Sequence, residues 1–597
     1  MSSRTTTTAA AALVFTLGLQ AASSLAATQS RPALTTVAEQ SGNRRTGRFE
    51  EVQRLCAAYA QAWPNQVRCA EFGRSPEGRP MLALIASADG TLDAAAAHRA
   101  QRPVVLMQGG IHAGEIDGKD AGFLALREML EGKAAKGALA GATLVFVPVF
   151  NVDGHERFGR WNRPNQVGPE EMGWRTTAQN LNLNRDYVKA EAPEMQAMLR
   201  LLNEWDPILY VDLHVTDGAK FEHDVSYNVT PTLAGDDALK RAGVALRDEL
   251  LERMTALGSL PLSFYPSFVR DDDPTSGFVD TVPPKRFSQE YWGARNRLGV
   301  LVETHSWKDY PTRVRITRNS IISMMEMAAR DGRKWLDAAR TADEHSARAG
   351  GSSVALSFDT TSHVRTVDFR GYEYTREPSA ISGALMTRYD DRRPQVWHLP
   401  IKDEVKPAIS VTAPRGGYVV PAAHAAWVGE KLAVHGIEFS KLAQPLTAVS
   451  TETFRATKTS FAPSTFESRT ALTVEGQWSK EQRDIPAGSL FVPIAQAKSY
   501  LAMTLLEPQD PDSLLSWGFF NGAFERKEGM EAYVAEDVAK QLLQKDPAIK
   551  REFERRLSED PEFARDPATR LDFFYQRHSA WDERFNLYPV YRVDAAL

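Results

Sequence analysis

The sequence predicts an α/β/α sandwich on a mixed central β-sheet, followed by a C-terminal region with β and helical parts. Three observations predict it. First, the runs PVVLMQ (103–108), ATLVFVPVFN (142–151), ILYVDLH (208–214) and LGVLVE (298–303) are apolar almost throughout, as strands buried on both faces are. Second, amphipathic helical patterns alternate with these runs, the signature of helices covering a sheet. Third, four ionisable residues, His112, Glu115, His214 and Glu303, close or directly follow such strands. In open α/β sheets, ligands gather outside the carboxyl ends of the strands.

Taken in order, the chain begins with Arg4, then the short apolar stretch Ala9–Leu19, then Ser24-Leu25-Ala26 with small residues where a signal peptidase reads. This predicts a signal peptide over 1–26. The apolar stretch is shorter than the ~20 residues a spanning helix needs, so no stable membrane insertion is expected after cleavage. Residues 27–47, rich in Ser, Thr and Gln, read as a flexible leader. A catalytic domain is expected over 48–345. It opens with the helix EEVQRLCAAYAQAW (50–63) and a hairpin-like pair around Arg74–Pro80, whose Pro76-Glu77-Gly78 is turn chemistry. After the His112 loop, Phe123, Leu126, Met129 and Leu130 share a helix face, which stops near Gly132. Leu239, Leu246, Leu250 and Leu257 mark a long helix that Gly258 ends. Ala347–Ser352 is small and glycine-rich and reads as a linker. Beyond it, residues 346–597 form an accessory region with strand-like runs such as HVRTVDFRGYEYT and a late helix begun by Asp546-Pro547, with Ile549, Phe553 and Leu557 on one face. No ligand constellation is evident there.

At 597 residues the chain needs more than one core. A net charge of −5 on so large a surface gives no strong field and argues neither for nucleic acid nor for an anionic membrane as partner; neither nucleic acid nor stable membrane insertion is expected. Cys56 and Cys69 are the only cysteines. In an oxidising compartment they could close a short loop; two free thiols are the alternative, and the sequence leaves both open. Neither is placed as a catalytic nucleophile.

Two His and one Glu would fill three positions of a tetrahedral zinc and leave the fourth for water. His112-Ala113-Gly114-Glu115 supplies two ligand types three apart, and His214 supplies a distant third. Gly109, Gly110 and Gly114 let backbone approach closely there. Asp212 and His214, two apart, share a strand face. His155, His223 and His305 compete for the ligand role but lie in more polar contexts. Glu303, if near the metal, would take a proton from water and pass it to a leaving amine. Arg185 has the planar fork that matches a carboxylate.

Between residues 48 and 330 the chain resembles the M14 zinc carboxypeptidases. The resemblance lies in GGIHAGE (109–115), NVDG (151–154), NLNLNRDY (180–187), the DLH strand (212–214) and LVETHS (301–306), all in the family's order. It implies one Zn2+ per chain held by His112, Glu115 and His214, with Glu303 as general base and acid. It implies that Asn184 and Arg185 bind the terminal carboxylate of a peptide substrate. The family's carbonyl-polarising arginine is matched by Arg175, with Arg163 as the other candidate. Where the family has an Asp two residues before the Asn-Arg pair, this chain has Asn182. The family's substrate-capping tyrosine has no clear match, and Tyr291 lies closer to Glu303 than that pattern expects.

The expected function is therefore an exported, periplasmic or extracellular, zinc carboxypeptidase acting on peptides with a free C-terminus. A zinc amidase for small acyl-amino acids or cell-wall peptides is one alternative. A carboxypeptidase-like binding protein without turnover is the other. The oligomeric state is not legible in the sequence.

Overall fold

The structure, a computed structural model, describes residues 34–597. The expected signal peptide and residues 27–33 of the leader lie outside the described residues.

Nine strands are introduced in chain order: β1 (Val67–Arg74), β2 (Pro80–Ala86), β3 (Val104–Gly109), β4 (Thr143–Val147), β5 (Leu209–Thr216), β6 (Val225–Thr230), β7 (Pro261–Leu262), β8 (Phe278–Val279) and β9 (Leu298–His305). All but β8 form one sheet in the order β1-β2-β4-β3-β5-β9-β6-β7. Its centre is parallel, β4 to β3 to β5 to β9, while β2 runs antiparallel to β1 and β4, and β6 runs antiparallel to β9 and parallel to β7. The sheet is mixed, as the sequence predicts. Strands β3, β4, β5 and β9 are buried at every position, which is why they read as apolar runs rather than as alternation.

Helices cover both faces. Leu213 of β5 packs against Gly118 of the helix Asp117–Leu130, where a Cβ would lie 2.8 Å from the Leu213 side chain. Three residues earlier, Tyr210 meets Trp292 of the helix Ser288–Gly293 edge-on. Residues of opposite parity on a strand point to opposite faces, so these helices lie on opposite sides. The helix Tyr310–Ser346 packs beside Asp117–Leu130 and Asp237–Ala256. Cys56 and Cys69 are joined in a disulfide that ties the helix Phe49–Ala62 to β1, which decides the question the sequence leaves open.

Two expectations are corrected. Residues 34–47 are not a flexible leader. They contain a short helix, Val37–Gln40, closed by a Thr36/Glu39 capping box, and Thr46 donates a 2.6 Å hydrogen bond to buried Asp120. The segment is polar in composition because its polar groups are used in caps and ion pairs. Residues 347–352 are likewise a fixed turn rather than a loose linker: Ala349 is buried, and the Gly351 N–H bonds the Ala413 carbonyl.

The accessory region adds β10 (Ser353–Thr360), β11 (Arg365–Pro378), β12 (Leu385–Lys402) and β13 (Val405–Thr412), paired as β10/β13 and β11/β12. Strand β12 also pairs with β8, so the accessory hairpin extends a loop of the first domain. A six-stranded sheet follows between residues 417 and 593. Late helices start at Asp-Pro steps, with Asp546, Asp560 and Asp566 each capping backbone N–H groups. Ile549, Phe553 and Leu557 pack together with Phe563, Phe573 and Phe574. No helix among the described residues is long and apolar enough to cross a membrane.

Candidate metal centre and substrate cavity

The carboxyl ends of β3, β5 and β9 open into a cavity of about 400 Å³. His112 and Glu115 stand on the loop after β3. Gly110 turns that loop in the left-handed region (φ +62), and at Gly114 a Cβ would lie 2.6 Å from the Arg163 side chain. His214 and Glu303 face each other in register across the β5–β9 ladder. All four line the cavity, together with Arg163, Arg175, Asn184 and Arg185. The structure thus brings every site residue expected from the sequence to one place.

The ligand atoms of His112, Glu115 and His214 lie within 4.8 Å of one another, and all three residues are buried. Asn182 Oδ1 accepts the Asn184 N–H at 3.0 Å and lies 3.0 Å from His112 Nε2. An oxygen that accepts one N–H can accept a second, so Nε2 carries the proton. His214 Nε2 lies 2.8 Å from Asp212 Oδ2. Both rings therefore turn Nδ1 toward Glu115, at 3.0 Å for His112 and 2.8 Å for His214. Metal-ligating histidines turn one nitrogen to the metal and the other to an acceptor, and Asn182 and Asp212 stand where that second contact is made. The set of two imidazoles and one carboxylate fits zinc with an open fourth position.

Electrostatics in the cluster follow burial and pairing. Burial drives the His112 imidazole down to about 4, a neutral ring with an available lone pair. Burial alone would raise Glu115, but Arg163 and His112 override it and hold the carboxyl well below its usual range. Burial opposes a proton on His214, yet the Asp212 carboxylate beside it raises its pKa well above the ordinary value. Glu303 is pushed up, first by burial, with the charges of Glu115 and Asp212 adding to it. One of its oxygens, Oε2, is buried without a protein partner.

The three competing histidines are occupied elsewhere. His155 Nε2 contacts the Gly47 carbonyl, His223 Nδ1 the Leu260 carbonyl, and His305 the His223 carbonyl and Ser226. Of the two candidate arginines, Arg163 is 6% exposed and committed to Glu115, the Val215 carbonyl and Asp217. Arg175 is more open, with Nη1 3.3 Å from His112 Nδ1 and 3.4 Å from Glu115 Oε1. Arg185 bonds only the Asn184 carbonyl and lies 4.4 Å over the Phe287 ring. Among the described residues it has no carboxylate in ion-pair contact. Burial, then the like charge of Arg175, lowers its pKa to about 10, still far above neutrality.

Tyr291 does not reach the cavity: it is fully buried and its hydroxyl bonds His435 Nδ1. The tyrosine that lines the cavity is Tyr265, which the sequence reading missed; its hydroxyl accepts from Thr216 Oγ1 at 2.8 Å. It sits in an irregular segment, 263–267, with no periodic pattern or motif that could have marked it.

Residues 52–252, roughly a third of the chain, match the zinc carboxypeptidase family model. No curated protein matches the chain. Among solved structures, a metallo-carboxypeptidase from Burkholderia cenocepacia is 17% identical, covering 47% of this chain and 69% of that one, with a TM-score of 0.34. A metallo-carboxypeptidase from Pseudomonas aeruginosa, in complex with (2-guanidinoethylmercapto)succinic acid, is 15% identical (49% and 70% covered, TM-score 0.35). The carboxypeptidase A from Helicoverpa armigera is 18% identical (50% and 74% covered, TM-score 0.34). Likenesses this low carry no weight for function.

Proposed function

We propose, for a chain whose residues 52–252 match the zinc carboxypeptidase family model, that it is an exported zinc-dependent carboxypeptidase removing the C-terminal residue of peptides. The observation that carries this reading is a half-buried guanidinium with no carboxylate in ion-pair contact among the described residues, Arg185, in the same cavity as the His112/Glu115/His214 cluster and Glu303. A cation partly withdrawn from water is stabilised when an anion joins it. A free peptide terminus supplies that anion, and a mid-chain peptide bond does not.

In this reading His112, Glu115 and His214 hold one Zn2+, which when bound supplies Lewis acidity and activates water. Arg185 and Asn184 grip the terminal carboxylate and so set which bond reaches the centre. Arg175 donates to the scissile carbonyl oxygen as it gains charge. Glu303, whose buried setting makes its carboxylate a stronger base, takes a proton from water in its ionised form and returns it to the leaving amine. Asp212 and Asn182 keep the two imidazoles oriented. A turnover-free binder would not need Glu303 in the cavity. Export is supported by the pattern of residues 4–26 and by the Cys56–Cys69 disulfide, which belongs to an oxidising compartment.

The test is a peptide with a free C-terminus against its amidated twin. The free acid should be trimmed from its end and the amide largely spared. A charge-assisted hydrogen bond contributes ~1.5–3 kcal/mol, so the preference should be roughly tenfold to a hundredfold. Arg185→Ala should blunt it by weakening activity on the acid more than on the amide. Internal cleavage indifferent to amidation would point to an endopeptidase, and activity confined to small acyl-amino acids would point to an amidase.

A further inference from the structure

The segment carrying Asn182, Asn184 and Arg185 is held in place by the accessory region. A tight turn at residues 466–469, between the strands Leu446–Phe461 and Leu472–Ile485, reaches across to it. Phe466 and Arg469 close the turn with reciprocal backbone hydrogen bonds. Its two central residues, Glu467 (φ +48) and Ser468 (φ +65), are both left-handed without being glycine, a conformation that persists only where surroundings enforce it. Those surroundings are visible: Phe466 stacks on Trp517, and the Arg469 guanidinium lies 3.8 Å from the Phe519 ring centre.

From that platform the turn grips the segment at both ends. Glu467 Oε2 accepts the backbone N–H of Asn182 at 3.1 Å. Arg469 Nε donates to Glu191 Oε1 at 2.9 Å. Between those points Lys431 donates to the Lys189 and Ala190 carbonyls, and His435 Nε2 lies 2.9 Å from the Val188 carbonyl. With a second bond from Arg469 Nη2 to Glu191 Oε1, six hydrogen bonds run from one region to ten residues of another, more than covering a surface requires. Asn182 is also the residue whose side chain orients both His112 and the Asn184 N–H.

We propose that Glu467 is a positioning residue: it clamps the 182–185 turn, so that Asn184 and Arg185 face the cavity in the geometry a substrate terminus needs. The accessory region is then part of the active site's construction, not an appendage to it. This rests on the carboxypeptidase reading for its functional consequence, but the clamp itself does not.

Glu467→Ala and Glu467→Gln in the full-length protein test it. The alanine variant loses the acceptor; the glutamine variant keeps an oxygen in place. Two readouts are needed. In hydrogen exchange by mass spectrometry, Glu467→Ala should speed exchange of peptides covering 180–192 by about tenfold, the scale of one hydrogen bond to a charged group, and leave the helix Asp237–Ala256 unchanged. In peptide cleavage, its preference for free acid over amide should fall by about tenfold, with activity on the amide retained. Glu467→Gln should keep most of both properties. A variant that merely loosened the fold would lose acid and amide activity in proportion and exchange faster everywhere, which would overturn the proposal. Unchanged exchange over 180–192 would overturn it as well. If the wild-type enzyme ignored amidation, the carboxypeptidase reading would fall, and exchange alone would uphold or reject the clamp.

Discussion

His214 and Glu303 are direct partners across the parallel β5–β9 ladder, so the third candidate metal ligand and the candidate proton carrier are fixed relative to each other by backbone pairing. Cross-strand partners project on the same face, and neither residue depends on a loop for its position. The site thus sits on rigid elements where its two chemical roles meet.

Purified protein should contain close to one zinc per chain, and His214→Ala should lose most of it, because two ligands seldom hold zinc against a chelator. Elemental analysis after chelation reads this directly. Metal content unchanged in the variant would remove His214 from the ligand set.

Glu303→Gln preserves the shape of the side chain while abolishing its basicity. Zinc content should stay at the wild-type level while peptide hydrolysis drops by ~10²–10⁴, the range for losing a general base. Near-normal turnover would return Glu303 to a structural role.

Asn182 holds His112 without contributing a charge. Asn182→Ala should weaken zinc binding by about 10–100-fold, as loss of a partner behind a ligand does, whereas Asn182→Asp should bind at least as tightly because a carboxylate makes the imidazole a stronger donor. Competition with a chromogenic chelator measures both. Equal affinity in all three proteins would mean that the His112 ring needs no support from this side.

Glu194, which does not line the cavity, gives a pH-dependent prediction. It is fully buried, neither carboxyl oxygen has a protein partner, and burial pushes its pKa from 4.5 to about 7. Since the folded value is raised, the folded state holds the proton more tightly than the unfolded chain. Stability from this group is complete below pH 4.5 and is lost as pH rises toward and through 7. Glu194→Gln carries no charge, so its advantage over wild type should grow between pH 5 and pH 8, by roughly 3 kcal/mol at most. Thermal melts at the two pH values check it; a difference independent of pH would show that Glu194 stays ionised.

The strand-end positions of His112, Glu115, His214 and Glu303 were legible in the sequence by itself. Strands buried on both faces must be apolar, so an ionisable residue at the end of such a run stands out and its location outside the sheet follows. The same runs, alternating with helices, indicated a mostly parallel or mixed sheet covered on both faces, and Asn182 was readable as a partner for His112 because it lies within a motif. Tertiary structure alone decided the Cys56–Cys69 bond, the packing of residues 34–47, the presence of Tyr265 in the cavity, and the contact of Glu467 with Asn182. The physical reason is the same in each case. Periodicity reports how a residue sits within its own helix or strand. A hydrogen bond between residues 182 and 467 depends on how whole elements pack, and leaves no mark on the sequence near either one.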